Sequence, residues 1–178
     1  MTLHSDAVSV LSGWTPAVPA QESLRQAFLG FLASRSDTMQ RSCAAGHLTA
    51  SAVVLDSTGT QVLLTLHPRV GRWLQLGGHC EPSDTTVASA ALREATEESG
   101  MADLTIGATP VHLDVHPITC SLGVPTRHFD VRYLVQAPPG ATPVRSDESD
   151  DLRWWPVDAL PAGSEDLAEL VNAAVSSR

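Results

Sequence analysis

The sequence predicts an α/β fold, a mixed central sheet covered by helices on both faces, and three observations carry that expectation. β-rich segments interleave with widely spaced amphipathic helical patterns, which favours strands and helices packed in layers. A Gly-Gly pair ends an apolar run just ahead of a glutamate-rich helical pattern, a junction where glycine permits close backbone approach. Finally, 178 residues with 43% hydrophobic content are enough for one sizeable core and too few for a second full domain.

Residues 1–20 mix polar, apolar and proline positions and read as a loose arm or edge element preceding one domain over residues 21–178. Within 21–34, Leu24, Ala27, Phe28, Phe31 and Leu32 recur at helical spacing, so an amphipathic helix is expected in spite of Gly30. Residues 47–56 and 61–67 flank Ser57-Thr58-Gly59-Thr60 and form a predicted hairpin. Residues 73–76 feed the glycine pair as a strand, and 86–99 follow as a helix stopped by Gly100. Residues 105–115 and 127–137 are β-rich, with a proline-bounded loop over 117–125. After an acidic loop at 138–151, residues 152–155 return as a short strand. The segment 165–176 closes as a helix on Leu167, Leu170, Val171 and Ala174.

Charge and cysteine usage narrow the function. A net charge of −9 opposes affinity for polyanions, so nucleic acid is not an expected partner. No stretch reaches membrane-span length and the N-terminus lacks signal-peptide regions, which predicts a cytoplasmic protein. Cys43, Cys80 and Cys120 are odd in number and form no CxxC pair, so reduced thiols in packed or part-exposed positions are expected.

The chemistry concentrates in GGHCEPSDTTVASAALREATEESGM, residues 77–101. Glu94, Glu97 and Glu98 stand at i, i+3 and i+4, on one flank of the predicted helix, while Ala88, Ala91, Leu92 and Ala95 make an adjacent packing stripe. A solvated charged face is the bland alternative. Against it, only 17% of the chain is charged, yet Arg93, Glu94, Glu97 and Glu98 crowd into one turn and a half without a lysine at i+4. Carboxylates so close repel unless a cation lies among them, and a hard divalent ion that bridges carboxylates to phosphate answers that need.

These residues resemble the Nudix hydrolase signature, G-x5-E-x7-R-E-U-x-E-E-x-G-U with U aliphatic. The run from Arg93 to Met101 matches its second half in full. Counted from Gly78, the expected Glu is Asp84, and eight residues instead of seven separate Asp84 from Arg93, a one-residue insertion at the loop-to-helix junction. The insertion is expected to be absorbed before the helix, with Asp84 capping or preceding its first turn and not binding metal. More weakly, the likeness extends over residues 47–161. It implies an α/β/α sandwich of the Nudix type and Mg²⁺- or Mn²⁺-dependent hydrolysis of a diphosphate linkage in a nucleoside diphosphate joined to another moiety. A homodimer is compatible with it.

By the same resemblance Glu97 and Glu98 are metal ligands, Glu94 is a third ligand or a base near the attacking water, and the Gly77 carbonyl completes the set. Arg93 is expected to orient the carboxylates. Glu148, in the acidic loop before the closing strand, stands where the family recruits a general base; a solvated turn is the competing reading. His79, directly after the glycines, and Arg72, with Arg69, are candidate substrate contacts. His112, His116 and His128 flank one loop and either meet substrate or serve structure. Of Trp73, Trp154 and Trp155, at least two are expected in the core. A different function class stays open: a non-catalytic Nudix-like module binding an ADP-ribose-type or nucleotide metabolite. Retention of the REATEESG block favours hydrolysis.

Overall fold

The computed structural model describes residues 1–119 and 123–178; Cys120 lies outside them. Among the described residues the elements run α1 (Leu3–Gly13), α2 (Pro19–Ser34), β1 (His47–Leu55), β2 (Gln61–His67), β3 (Arg72–Leu74), β4 (Leu76–His79), α3 (Val87–Ser99), β5 (Thr105–Thr119), β6 (Pro125–Gln136), β7 (Asp151–Pro156) and α4 (Leu167–Ser176). The strands form one mixed sheet in the order β3-β2-β1-β6-β5, with β4 also paired to β1 and β7 to β2. β1 and β6 run parallel, whereas the β1/β2, β1/β4, β2/β7 and β5/β6 pairs are antiparallel.

Alternation along β1 assigns the two faces. Leu48 and Ala50, with Val131 and Tyr133 of β6 and Leu113 of β5, pack beneath Ala7 and Leu11 of α1, Phe28 and Leu32 of α2 and Val87, Ala90 and Ala91 of α3. Ala52, Val54, Leu76 and Val135 extend that layer toward Ala95 and Met101. On the opposite face Val53, Leu55, Val62 and Leu64 meet Leu167, Leu170, Val171 and Ala174 of α4. The result is an α/β/α sandwich with three helices on one face and one on the other.

Four expectations change. The loose arm of residues 1–20 is instead helix α1, started by a reciprocal Thr2–Ser5 capping box and buried through Ala7 and Leu11. Its apolar positions acquire a partner only when α2 and α3 assemble beside it, a tertiary cause that local composition does not carry. The strand expected over 73–76 is two strands broken at Gln75, because β3 pairs with β2 while β4 pairs with β1. β5 continues through Pro117 to Thr119 and β6 begins at Pro125, so the proline-bounded loop is shorter than composition suggests. Here each proline is taken into the β5/β6 pairing opposite a non-proline residue, Pro117 against Arg127 and Pro125 against Thr119. The helix of the signature begins at Val87, one residue late, with Thr86 as its N-cap.

α2 also closes an edge. The Gln21 side chain accepts from Leu113 N at 2.7 Å and donates to Leu113 O at 3.1 Å, occupying the free side of β5. Trp73 and Trp155 pack edge to face on the α4 side, and Trp154 lies against the other layer, so all three tryptophans serve packing. Cys43 and Cys80 are free thiols. Burial, with Asp84 next, pushes the Cys80 thiol up to about 12, which removes it as a nucleophile at neutral pH. No helix among the described residues is long and apolar enough to cross a membrane.

Candidate active site

α3 carries the acidic residues, and its start is fixed twice. Thr86 and Ser89 form a capping box, and Asp6 of α1 accepts the Val87 N–H at 2.8 Å. Gly100 ends the helix in the left-handed conformation at φ +62°, returning its N–H to Thr96 O. Between these ends Ala90, Ala91 and Ala95 are fully buried against the sheet, so the flank bearing Glu94, Glu97 and Glu98 faces β4.

The two glycines explain how close that approach is. Gly77 adopts φ +149°, and a Cβ on it would lie 2.6 Å from Ser51 Cα. A Cβ on Gly78 would lie 2.7 Å from the Glu94 carboxylate. Only glycine leaves room for Glu94 and for the neighbouring strand at once. Glu98, 8% exposed, accepts the Gly77 N–H at 2.8 Å. Glu97 is exposed at the mouth of the group.

Arg93 is the internal counter-charge. Its fork donates to Asp84 Oδ1 and Oδ2 at 3.1 and 3.0 Å, and Nη1 reaches Glu94 Oε1 and Glu97 Oε2, each at 3.0 Å. Nη2 also holds His79 O at 3.0 Å. The bidentate contact therefore goes to Asp84, while Glu94 and Glu97 receive single bonds. Asp84 lies in the turn before the helix, where its Oδ2 accepts from Glu81 N at 2.7 Å; the capping role belongs to Thr86. Although burial opposes it, the Arg93 bond holds the Asp84 carboxyl below the usual range.

One guanidinium does not neutralise this group. Burial, opposed by the Gly77 N–H and reinforced by Glu94, Glu148 and Glu97, pushes Glu98 up to about 8. Burial likewise raises Glu94, against the pull of Arg93. Glu148 sits exposed in its loop, and its charge bears on both Glu94 and Glu98. The structure thus brings together Gly77, Arg93, Glu94, Glu97 and Glu98, with Glu148 on a separate exposed loop.

Arg72 is committed elsewhere. Its guanidinium binds Gly163 O at 2.7 and 3.1 Å and Asp166 at 2.5 Å, tying β3 to the segment before α4. His79 lies at the end of β4, with Nδ1 2.8 Å from Arg41 Nη2 and Nε2 3.1 Å from His47 Nε2. Burial, then Arg41, His128 and His47, lowers it to about 3, so its ring is neutral at physiological pH.

Sequence reasoning singled out His116 and His128 but missed the polar face beyond Gly77 to which they belong. His47, Thr49 and Ser51 alternate along β1, next to His128, Asp130 and Arg132 of β6 and Asp114 and His116 of β5. Asp130 is 1% exposed and accepts from Thr49, Ser51, Gln75 and Arg132, while Arg132 also reaches Asp114 at 3.0 Å. A signal existed: the odd positions of β1 from His47 to Ser51 are polar between apolar even ones. In a strand buried on both faces that pattern marks a functional face.

The NUDIX domain model matches residues 46–174. The chain belongs to the Nudix hydrolase family. No curated protein matches it in sequence. Among solved structures, a NUDIX-family hydrolase from Clostridium perfringens is similar at 22% identity and TM-score 0.56, over 74% of this chain and 97% of that one. A C. elegans Ap4A hydrolase gives 20% identity and TM-score 0.56 over 73% and 96%. A MutT NUDIX hydrolase from Burkholderia pseudomallei gives 22% and 0.51 over 70% and 96%. These likenesses establish the mixed sheet with flanking helices as the Nudix fold, and both α1 and α2 lie outside the matched domain.

Proposed function

We propose that this Nudix hydrolase cleaves the diphosphate linkage of a nucleoside diphosphate joined to another moiety, with Mg²⁺ or Mn²⁺ as cofactor and acting in the cytoplasm. One observation carries the reading: Glu94 and Glu98 are drawn against the Gly77-Gly78 backbone, in a cradle that a single Cβ would fill. The donors available there, the Glu94, Glu97 and Glu98 carboxylates and the Gly77 carbonyl, are all hard oxygens. That set suits Mg²⁺ or Mn²⁺ and disfavours softer ions. When bound, such an ion neutralises charge developing on phosphate oxygens.

The chain's own residues supply the remainder. Arg93 fixes the Glu94 and Glu97 rotamers and, through His79 O, the end of β4, so the carboxylates are held before substrate arrives. Glu148 is the proton acceptor for the attacking water. A carboxylate that binds a cation directly is a weaker base than a free one beside it, and Glu148 stands on an exposed loop while its field reaches Glu94 and Glu98. His79 contacts the substrate from the adjoining strand end.

Product release from a small panel of dinucleoside polyphosphates, nucleotide sugars and ADP-ribose, with Mg²⁺ and with chelator, tests the proposal. Mg²⁺-dependent cleavage of at least one diphosphate, lost in Glu97→Gln, is the expected result. Binding of these compounds with no turnover under any divalent ion would make the protein a ligand-binding module instead.

A further inference from the structure

A second group of potential ligands lies apart from the carboxylates. His47 of β1, His79 of β4 and His128 of β6 each offer a ring nitrogen, and those atoms all lie within 4.8 Å of one another. The backbone register sets them there: His47 pairs with His128 across β1/β6, and His79 faces Thr49 across β1/β4. Ligands on three neighbouring strands of one sheet are held more firmly than ligands on loops.

The contacts within the group fall short of satisfying it. His128 is half-buried, and its Nε2 has no hydrogen-bond partner. Buried polar nitrogens without partners are uncommon in folded proteins and call for an explanation such as an ion. A tetrahedral centre with metal–nitrogen bonds of about 2.0–2.1 Å spaces its nitrogens roughly 3.3–3.4 Å apart. The His47 Nε2 to His79 Nε2 separation of 3.1 Å already approximates one such edge.

We infer that His47, His79 and His128 form a second metal site, selective for a borderline divalent ion such as Zn²⁺ or Co²⁺ over Mg²⁺. Imidazole nitrogen suits these ions, whereas Mg²⁺ takes oxygen. Three protein ligands leave a fourth position for water or substrate. His116, whose ring centroid is 5.3 Å from that of His128, flanks the site with its Nδ1 2.7 Å from Asp114 Oδ2. One contact opposes loading. Arg41 donates to His79 Nδ1, so the neutral ring keeps its proton on Nε2. Metal binding at Nε2 moves that proton to Nδ1, and Arg41, which is exposed, must then turn away because two donors cannot share Nδ1.

Tag-free, metal-stripped protein titrated with Co²⁺ in excess Mg²⁺ tests the site without reference to turnover. One equivalent is expected to give the intense visible bands of tetrahedral Co²⁺, abolished by Zn²⁺. His79→Gln and His128→Gln should each weaken Co²⁺ binding at least about tenfold, Arg41→Ala should strengthen it, and Glu97→Gln and Glu98→Gln should leave it within about twofold. X-ray absorption of the wild-type Co²⁺ or Zn²⁺ form should count three imidazoles, a readout that stands even if a buried-histidine variant fails to fold. Absence of the tetrahedral spectrum, fewer than three imidazoles, or loss of binding in the glutamate variants alone would overturn the inference.

Discussion

Glu98→Gln should have opposite effects on the protein with and without divalent metal. In the metal-free chain Glu98 is buried and its carboxyl is raised from 4.5 to about 8. A carboxyl raised on folding is protonated in the native state while the unfolded chain has already released its proton. Between about pH 4.5 and 8 the native state therefore binds more protons, and stability falls as pH rises through that window, levelling off above it. At about 1.4 kcal/mol per unit, and allowing for the water that reaches a site at the mouth of a cleft, this amounts to about 2–4 kcal/mol near pH 9. Glutamine keeps an oxygen for the Gly77 N–H and removes the charge. In chelator near pH 9 the variant should be more stable by that amount, a rise in Tm on the order of 10 °C for a domain of this size. Near pH 4.5 the two proteins should melt together. Mg²⁺ should then raise the Tm of the wild type and leave the variant nearly unchanged. Thermal melts across pH, with and without Mg²⁺, measure all of this. Equal stability at high pH, or an equal Mg²⁺ response, would refute the picture of an under-neutralised carboxylate awaiting a cation.

Glu148→Gln should lower kcat by about a hundredfold or more with little change in metal affinity; parallel loss of metal binding in calorimetry would make Glu148 a ligand. Gly78→Ala should sharply reduce Mg²⁺-dependent turnover, because its Cβ meets the Glu94 carboxylate at 2.7 Å, and a retained rate would show that Glu94 can retreat without cost. Arg93→Lys keeps one charge but loses the fork to Asp84; we expect a stability loss of about 1–3 kcal/mol in denaturant titration and weaker Mg²⁺ binding, and an unchanged protein would deny Arg93 its organising part.

The signature helix was readable because it is a local object. Spacing placed Glu94, Glu97 and Glu98 on one flank, and Thr86 and Gly100 bound the element by chemistry within a few residues of its ends. The fold class was readable for a similar reason, since the alternation of strand and helix patterns is local too. What escaped the sequence depends on partners distant in the chain. Helix α1 is stabilised by α2 and α3, and the break at Gln75 by two strands competing for one segment. Arg72 illustrates the same limit within the site residues: nothing near it in sequence announces Asp166. The histidines of β1 and β6 meet only through a parallel pairing 81 residues apart in sequence, as the Thr49–Asp130 bond also does.

The amide of Gln21 has a consequence for how copies of this molecule meet. β5 is the longest strand and lies at the rim of the sheet, where unsatisfied peptide groups invite a second chain to dock by strand addition. By answering both the N–H and the carbonyl of Leu113, a single side chain imitates one peptide of an absent neighbour and interrupts that template at mid-strand. Self-association by continuation of the sheet is thereby discouraged along this rim.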